Sequence, residues 1–277
     1  DVRNFNNEGN SSKFWHKNHE EYFKSMKSYK QSSIAEICQI HDLIELIDVA
    51  NPLTVKITSI FTSEERNTKK PLDSRPYAYD VEDGDREASG VILAIEDGDG
   101  GTFKVIIATA MHVVFNQNEA RETSCYLYYD GEDSETVKLG GTVENVKTDI
   151  NKDWCVFACK IDANACIKLK ENLVKYKKEL SKKISKRNAI VREEDRKVLL
   201  ISHPHGCYKC VSMGDLRIKQ NGYYQYTTPT CDGSSGGYLV IVGFSTTSLL
   251  IHSGYFPNDE NKDGYSSGKI TLNEIKC

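Results

Sequence analysis

The stretch SGVILAIEDGDGGTFKVIIATA, residues 89–110, joins two runs of β-formers through Asp-Gly-Asp-Gly-Gly. Branched side chains fit a pleated, half-buried surface, and a Gly/Asp link turns the chain tightly back on itself. A hairpin here commits the chain to antiparallel pairing. Similar short runs recur: LTVKITSIF from Leu53, then CYLYY, ETVKLGGTVENV and WCVFACKI, and again from KVLLISHPHG onward. Short strands punctuated by Gly/Asp turns predict an all-β barrel architecture.

Two segments break this pattern. In IAEICQIHDLIELIDVA, residues 34–50, Ile37, Ile40, Ile44 and Ile47 recur at helical spacing. Ser33-x-x-Glu36 reads as a capping box, and Asn51-Pro52 should end the helix. Before it, residues 1–30 read as a polar arm with little core of its own. Residues 63–88 read as a long polar loop. Over 162–197, Cys166, Leu169, Leu173, Leu180 and Ile184 mark a second amphipathic helix, rich in Lys and Arg. Its charged face reads as a solvated connector; the sharper reading is a docking surface for an acidic partner. The chain therefore divides into an arm and helix (1–51), a first β unit (52–161), a basic helical connector (162–197) and a second β unit (198–277).

With 277 residues there is ample length for a buried core. The formal net charge of −4 offers no polycation for nucleic acid. No apolar run approaches the roughly 20 residues of a membrane-spanning helix. The nine cysteines are odd in number and demand no disulfide framework, so the redox compartment stays open between a secreted and a cytoplasmic setting.

Residues 228–243, TPTCDGSSGGYLVIVG, set two serines between glycines. A serine hydroxyl becomes a nucleophile only when a base takes its proton, a carboxylate orients that base, and N–H groups receive the developing oxyanion. His112, closing the run VIIATAMHVV behind small residues, is a candidate base. Asp153, opening the apolar run DWCVFACKI, is the candidate carboxylate, with Asp149 as a competitor. An aspartate at such a place is costly unless exposed or paired.

Together these residues resemble a known family. Thr109-Ala110-Met111-His112 resembles the T-A-A-H motif of chymotrypsin-like serine proteases. Asp153-Trp154-Cys155-Val156-Phe157 resembles their D-[IL]-A-L-L strand, and Gly233-Ser234-Ser235-Gly236-Gly237 their G-D-S-G-G loop. The order His, Asp, Ser is also theirs. The resemblance runs from about residue 53 to 270. It implies a mainly β fold of two six-stranded antiparallel barrels, here with an N-terminal helical arm and a helical connector. It implies a serine endopeptidase with His112 as base, Asp153 as its orienter and Ser235 as nucleophile, and with the Gly233 and Ser235 amides as the oxyanion site. Ser234 stands where trypsin-type zymogens carry the aspartate of their activation switch, which points to the glutamyl endopeptidase and HtrA-type branch. Ser202-His203-Pro204-His205-Gly206 and Ile251-His252-Ser253-Gly254 resemble stretches of that branch.

In that branch a histidine at the place of His252, with a threonine at that of Thr230, lines the first specificity pocket. The resemblance thus implies cleavage after Glu, Gln or Asp, with Ser253 and Gly254 pairing with the substrate backbone. The alternative is a catalytically silent protein of this fold, acting as a binding or assembly component through the arm or the connector. His203-x-His205-x-Cys207-x-x-Cys210 gathers zinc-type ligands at no strong zinc spacing, so plain thiols or a Cys207–Cys210 disulfide are the expectation. The sequence implies no metal and no cofactor. The expected partner is a polypeptide substrate.

Overall fold

The computed structural model describes residues 19–40, 44–67, 85–140, 146–186, 196–220, 223–241, 248–255, 264–266 and 269–271. The chain is mainly β, with two antiparallel sheets. The first contains β2 (Thr54–Ser59), β3 (Arg86–Asp97), β4 (Phe103–Thr109), β5 (Thr123–Leu127), β6 (Val137–Leu139), β7 (Lys147–Asp149) and β8 (Trp154–Ile161), in the order β6-β5-β2-β3-β4-β8-β7. Just past β6, Gly140 bridges Lys160 of β8 through paired backbone hydrogen bonds of 2.9 and 3.2 Å. The far end of the sheet therefore curls back against β8.

The second sheet contains β9 (Lys197–Ser202), β10 (Cys210–Gln220), β11 (Tyr223–Tyr226), β12 (Tyr238–Ile241), β13 (Ser248–Ile251), β14 (Gly254–Tyr255), β15 (Gly264–Ser266) and β16 (Lys269–Thr271), in the order β14-β15-β11-β10-β9-β12-β13-β16. A two-residue strand β1 (Lys24–Ser25) pairs with β10 beside this path.

The near-continuous apolar runs arise because both faces of the central strands are covered. On β8, Cys155, Phe157, Cys159 and Ile161 face the core inside the first sheet, while Trp154, Val156 and Ala158 face a second core. Successive side chains of a strand point to opposite faces, so each run serves two layers. β4 splits likewise, Val105 and Ile107 inward, Ile106 and Ala108 outward. From the second sheet, Leu199, Ile201, Val211, Tyr238, Leu249 and Ile251 enter the same shared core.

Of the expected arm, residues 1–18 lie outside the described residues; within the rest Phe23 and Tyr29 are buried. Tyr29 joins Ile34, Leu46, Ile47 and Ala50 of the helical segment in the shared layer between the sheets. The predicted helix is described as two, α2 (Ser33–Ile40) and α3 (Ile44–Ala50), after a short α1 (His19–Tyr22). The backbone carbonyl of Ser32, one residue before the expected cap, accepts from the Ala35 and Glu36 amides at 2.9 and 3.4 Å, while its hydroxyl donates to the Tyr29 carbonyl. Pro52 ends α3 as expected, starting a 3-10 turn over Asn51–Leu53. The connector helix α5 (Ala163–Lys186) begins as Asp162 accepts from the Ala165 amide at 3.0 Å. It buries Cys166, Leu169 and Leu173 against the first sheet's core, and its Tyr176 hydroxyl meets that of Tyr238 in the second sheet at 2.6 Å. Leu180 and Ile184 lie outside the described side chains. Two α-helices among the described residues were not anticipated: the short α1, and α4 (Gln117–Arg121), capped by the Asn116 side chain.

Among the described residues, Cys125, Cys155, Cys159, Cys166, Cys207, Cys210 and Cys231 are in no disulfide. No helix among them is long and apolar enough to cross a membrane.

Candidate active site

His112 sits in a turn just past the end of β4, and Asp153 in a turn just before β8. These strands are paired neighbours, Thr109 opposite Cys155, so the two turns meet at one end of the sheet. Asp153 is fully buried and adopts φ +50°, the left-handed region that aspartate tolerates better than most residues. One carboxylate oxygen accepts from the His112 amide at 3.0 Å, and the other lies 2.9 Å from His112 Nδ1. Asp149 does different work. Its carboxylate closes the preceding turn by accepting from the Asn151 and Lys152 amides at 2.9 and 3.1 Å.

Ser235 arrives from the second sheet, in the loop before β12. Its Oγ lies 2.9 Å from His112 Nε2. Ser234 is turned inward and buried; its hydroxyl accepts from the Cys231 amide at 3.2 Å. The loop depends on glycine at two points. Gly233 has φ +90°, and a Cβ there would collide with the His203 carbonyl. Gly236 has φ +80°, and a Cβ would run into the Ser89 carbonyl. Neither the Gly233 nor the Ser235 amide has a backbone acceptor among the described residues. The loop is pinned from elsewhere. The Gly236 amide donates to the His252 carbonyl at 2.7 Å, and the Ser89 amide donates to the Ser235 carbonyl at 2.9 Å.

His252 is buried, and its Nδ1 lies 2.6 Å from the Tyr226 hydroxyl. Burial, and then the nearby His112, pushes its pKa down to about 3. The imidazole is therefore neutral at ordinary pH. Tyr226 is buried with this ring nitrogen as its hydroxyl's bonding partner among the described residues, so its O–H donates and Nδ1 accepts. The remaining ring proton then sits on Nε2. Thr230 is half-buried, and no hydrogen bond joins it to His252 among the described residues. Ser253 is buried, and Gly254 opens β14, which ends its sheet's path.

The 203–210 segment forms no ligand cluster: among the described residues no three His, Cys, Asp or Glu side chains are grouped to hold a metal ion. His203 is buried with Nδ1 3.0 Å from the Cys207 carbonyl, and burial, then the Lys209 charge, lowers its pKa well below the usual imidazole value.

Three features lay beyond sequence reasoning. Tyr226 is one, and Ser89 another. The third is a buried ion-pair network beneath His112. Arg66 donates to both Glu119 oxygens at 2.5 and 2.6 Å and to the His112 carbonyl at 2.8 Å. An arginine in a polar stretch ordinarily reads as exposed, and this one is 1% exposed.

No family model matches the chain, and no curated protein matches it. Solved structures do. An HtrA-type protease, AlgW with a tripeptide, aligns at 15% identity over 83% of this chain and 60% of that one, with a TM-score of 0.46. A serine endoprotease from Yersinia pestis aligns at 18% identity over 81% of this chain and 61% of that one, with a TM-score of 0.43. The chain spans about three-fifths of the length of each.

Proposed function

We propose that this protein is a serine endopeptidase in which Ser235, His112 and Asp153 form the catalytic triad. The observation that carries this reading is the unbroken hydrogen-bond chain from Ser235 Oγ through the imidazole to the buried carboxylate, 2.9 Å at each step. Such a chain activates a hydroxyl. His112 Nε2 takes the Ser235 proton as Oγ attacks the scissile carbonyl, and Asp153 holds Nδ1–H and stabilises the imidazolium. The Gly233 and Ser235 amides receive the oxyanion. His112 then returns the proton to the leaving amine, and water hydrolyses the acyl-enzyme by the same steps. On this reading the two sheets correspond to the two barrels of a chymotrypsin-like fold, residues 52–161 and 198–277, joined by the 162–197 connector, although they have seven and nine strands rather than the six expected of each.

His252, with Thr230, would form the specificity pocket. A neutral imidazole offering Nε2–H to a buried site suits the carboxamide oxygen of Gln. A Glu carboxylate would enter with no cation from this ring, which is costly in a desolvated pocket. The order of preference is therefore Gln, then Glu and Asp. The edge of β14 at Gly254, which ends its sheet's path among the described residues, suits pairing with an extended substrate backbone.

Labelling with a fluorophosphonate probe, wild type beside Ser235→Ala, tests the chemistry. Labelling that needs Ser235 is the expected result; its absence from a folded wild type sinks the proposal. A peptide library tests the pocket. Preference for Lys, Arg or large aromatics would overturn the role given to His252.

A further inference from the structure

Ser89, on β3 of the first sheet, is buried and reaches across to the nucleophile loop of the second. Its hydroxyl donates to the Gly233 carbonyl at 2.8 Å and accepts from the His203 amide at 2.8 Å. Its own amide donates to the Ser235 carbonyl at 2.9 Å. Its carbonyl is in turn held by Thr109 Oγ1 at 2.7 Å, on the strand that leads to His112. We infer that Ser89 is a positioning residue of the oxyanion loop, an inference that rests on the proposed peptidase reading.

The argument is one of peptide planes. A peptide unit joins the carbonyl of one residue to the amide of the next, so the Gly233 and Ser235 amides share planes with the Asp232 and Ser234 carbonyls, which the His205 and Gly237 amides hold. Ser89 holds the Gly233 and Ser235 carbonyls, and so fixes the plane that follows each oxyanion amide and the direction in which the loop leaves it. Gly233 at φ +90° has no side chain to restrain it, so its orientation depends on such external bonds. Ser89 also ties this loop to the sheet that carries His112 and Asp153. Base and oxyanion donors come from different sheets, and catalysis needs them in fixed relation.

The test compares wild type with Ser89→Ala and Ser89→Thr. In Ser89→Ala, kcat on a peptide amide is expected to fall about 10- to 100-fold, somewhat less than outright loss of an oxyanion donor. KM should stay within about twofold, because substrate contacts are untouched. The inhibition constant of a peptide aldehyde, which places an oxygen in the oxyanion site, should rise by the same factor as kcat/KM falls. Ser89→Thr keeps the hydroxyl and should retain most of kcat. Unchanged kcat and aldehyde affinity in folded Ser89→Ala would overturn the inference. If that variant does not fold, Ser89→Cys fills the site with a weak donor and takes the same test, with the same overturning result. A wild type without Ser235-dependent labelling would instead refute the peptidase reading itself.

Discussion

At the residue scale, on the proposed reading, a single hydroxyl proton decides what the His252 ring would recognise. With the Tyr226 O–H donating a hydrogen bond to Nδ1 at 2.6 Å, Nε2 is left as the ring's donor. Replacing Tyr226 by Phe removes the donor and strands a buried ring nitrogen, so either tautomer becomes open. The expected result is a fall of about tenfold in kcat/KM on a Gln peptide, the equivalent of one hydrogen bond of about 1.4 kcal/mol. Discrimination against a methionine peptide of similar size should shrink in parallel. Hydrolysis of a small activated ester, which leaves the pocket empty, should barely change. Unaltered Gln discrimination in the variant would dismiss the tautomer argument. His252 drew notice in the sequence through the resemblance of Ile251-His252-Ser253-Gly254 to a family stretch. Tyr226 did not, because in GYYQY its neighbours are equally aromatic. Which of them reaches His252 is set by how β11 and β14 both pair with β15.

At the scale of elements, the His112 turn rests on a polar core. Glu119 of α4 accepts from the Ser63 and Phe115 amides at 2.9 and 3.0 Å, and from Arg86 at 3.2 Å besides Arg66. One carboxylate thus fastens the 3-10 turn Glu64–Asn67, β3 and α4 to one another, and Arg66 carries the fastening to the His112 carbonyl. Breaking one partner of such a pair is far worse than replacing both. Arg66→Met leaves Glu119 buried with Arg86 as its remaining cation, and a loss of about 3 kcal/mol is expected from urea unfolding. The double variant Arg66→Met/Glu119→Leu should cost less than the sum of the two single changes. Additive losses would show that the pair is not a unit. None of this was legible, since the 63–88 stretch reads as a polar loop and burial of its arginine depends on a carboxylate from a distant helix. The β3–β4 hairpin, by contrast, was written locally, in β-formers on either side of Asp97 to Gly101, where Gly100 and Gly101 take φ of +65° and +78°.

Over the whole molecule, the two sheets and the N-terminal helices share one apolar layer, and the candidate site lies where the sheets meet. The two-faced burial of β4, β8 and β9 was foreshadowed by their unbroken apolar runs. What covers the outer faces was not, because the helical pattern at 34–50 announces an apolar face without naming its partner. Burial at this seam also sets a pH dependence. His203 and His252 are both held neutral, with folded pKa values below the ordinary 6.5. Below pH 6.5 the unfolded chain therefore binds protons at these positions that the folded chain refuses. Stability is fully present above that pH and falls as pH drops towards about 3, where His252 titrates in the fold. Between pH 6.5 and 5 most carboxylates remain ionised, so this window isolates the imidazoles. Well below 6.5 each such group steepens the loss by about 1.4 kcal/mol per pH unit. Urea unfolding from pH 7 to 5 should show the decline, and His252→Gln, which cannot take up the proton, should reduce the slope by one group's share. A slope unchanged by that substitution would mean that His252 accepts its proton in the folded state.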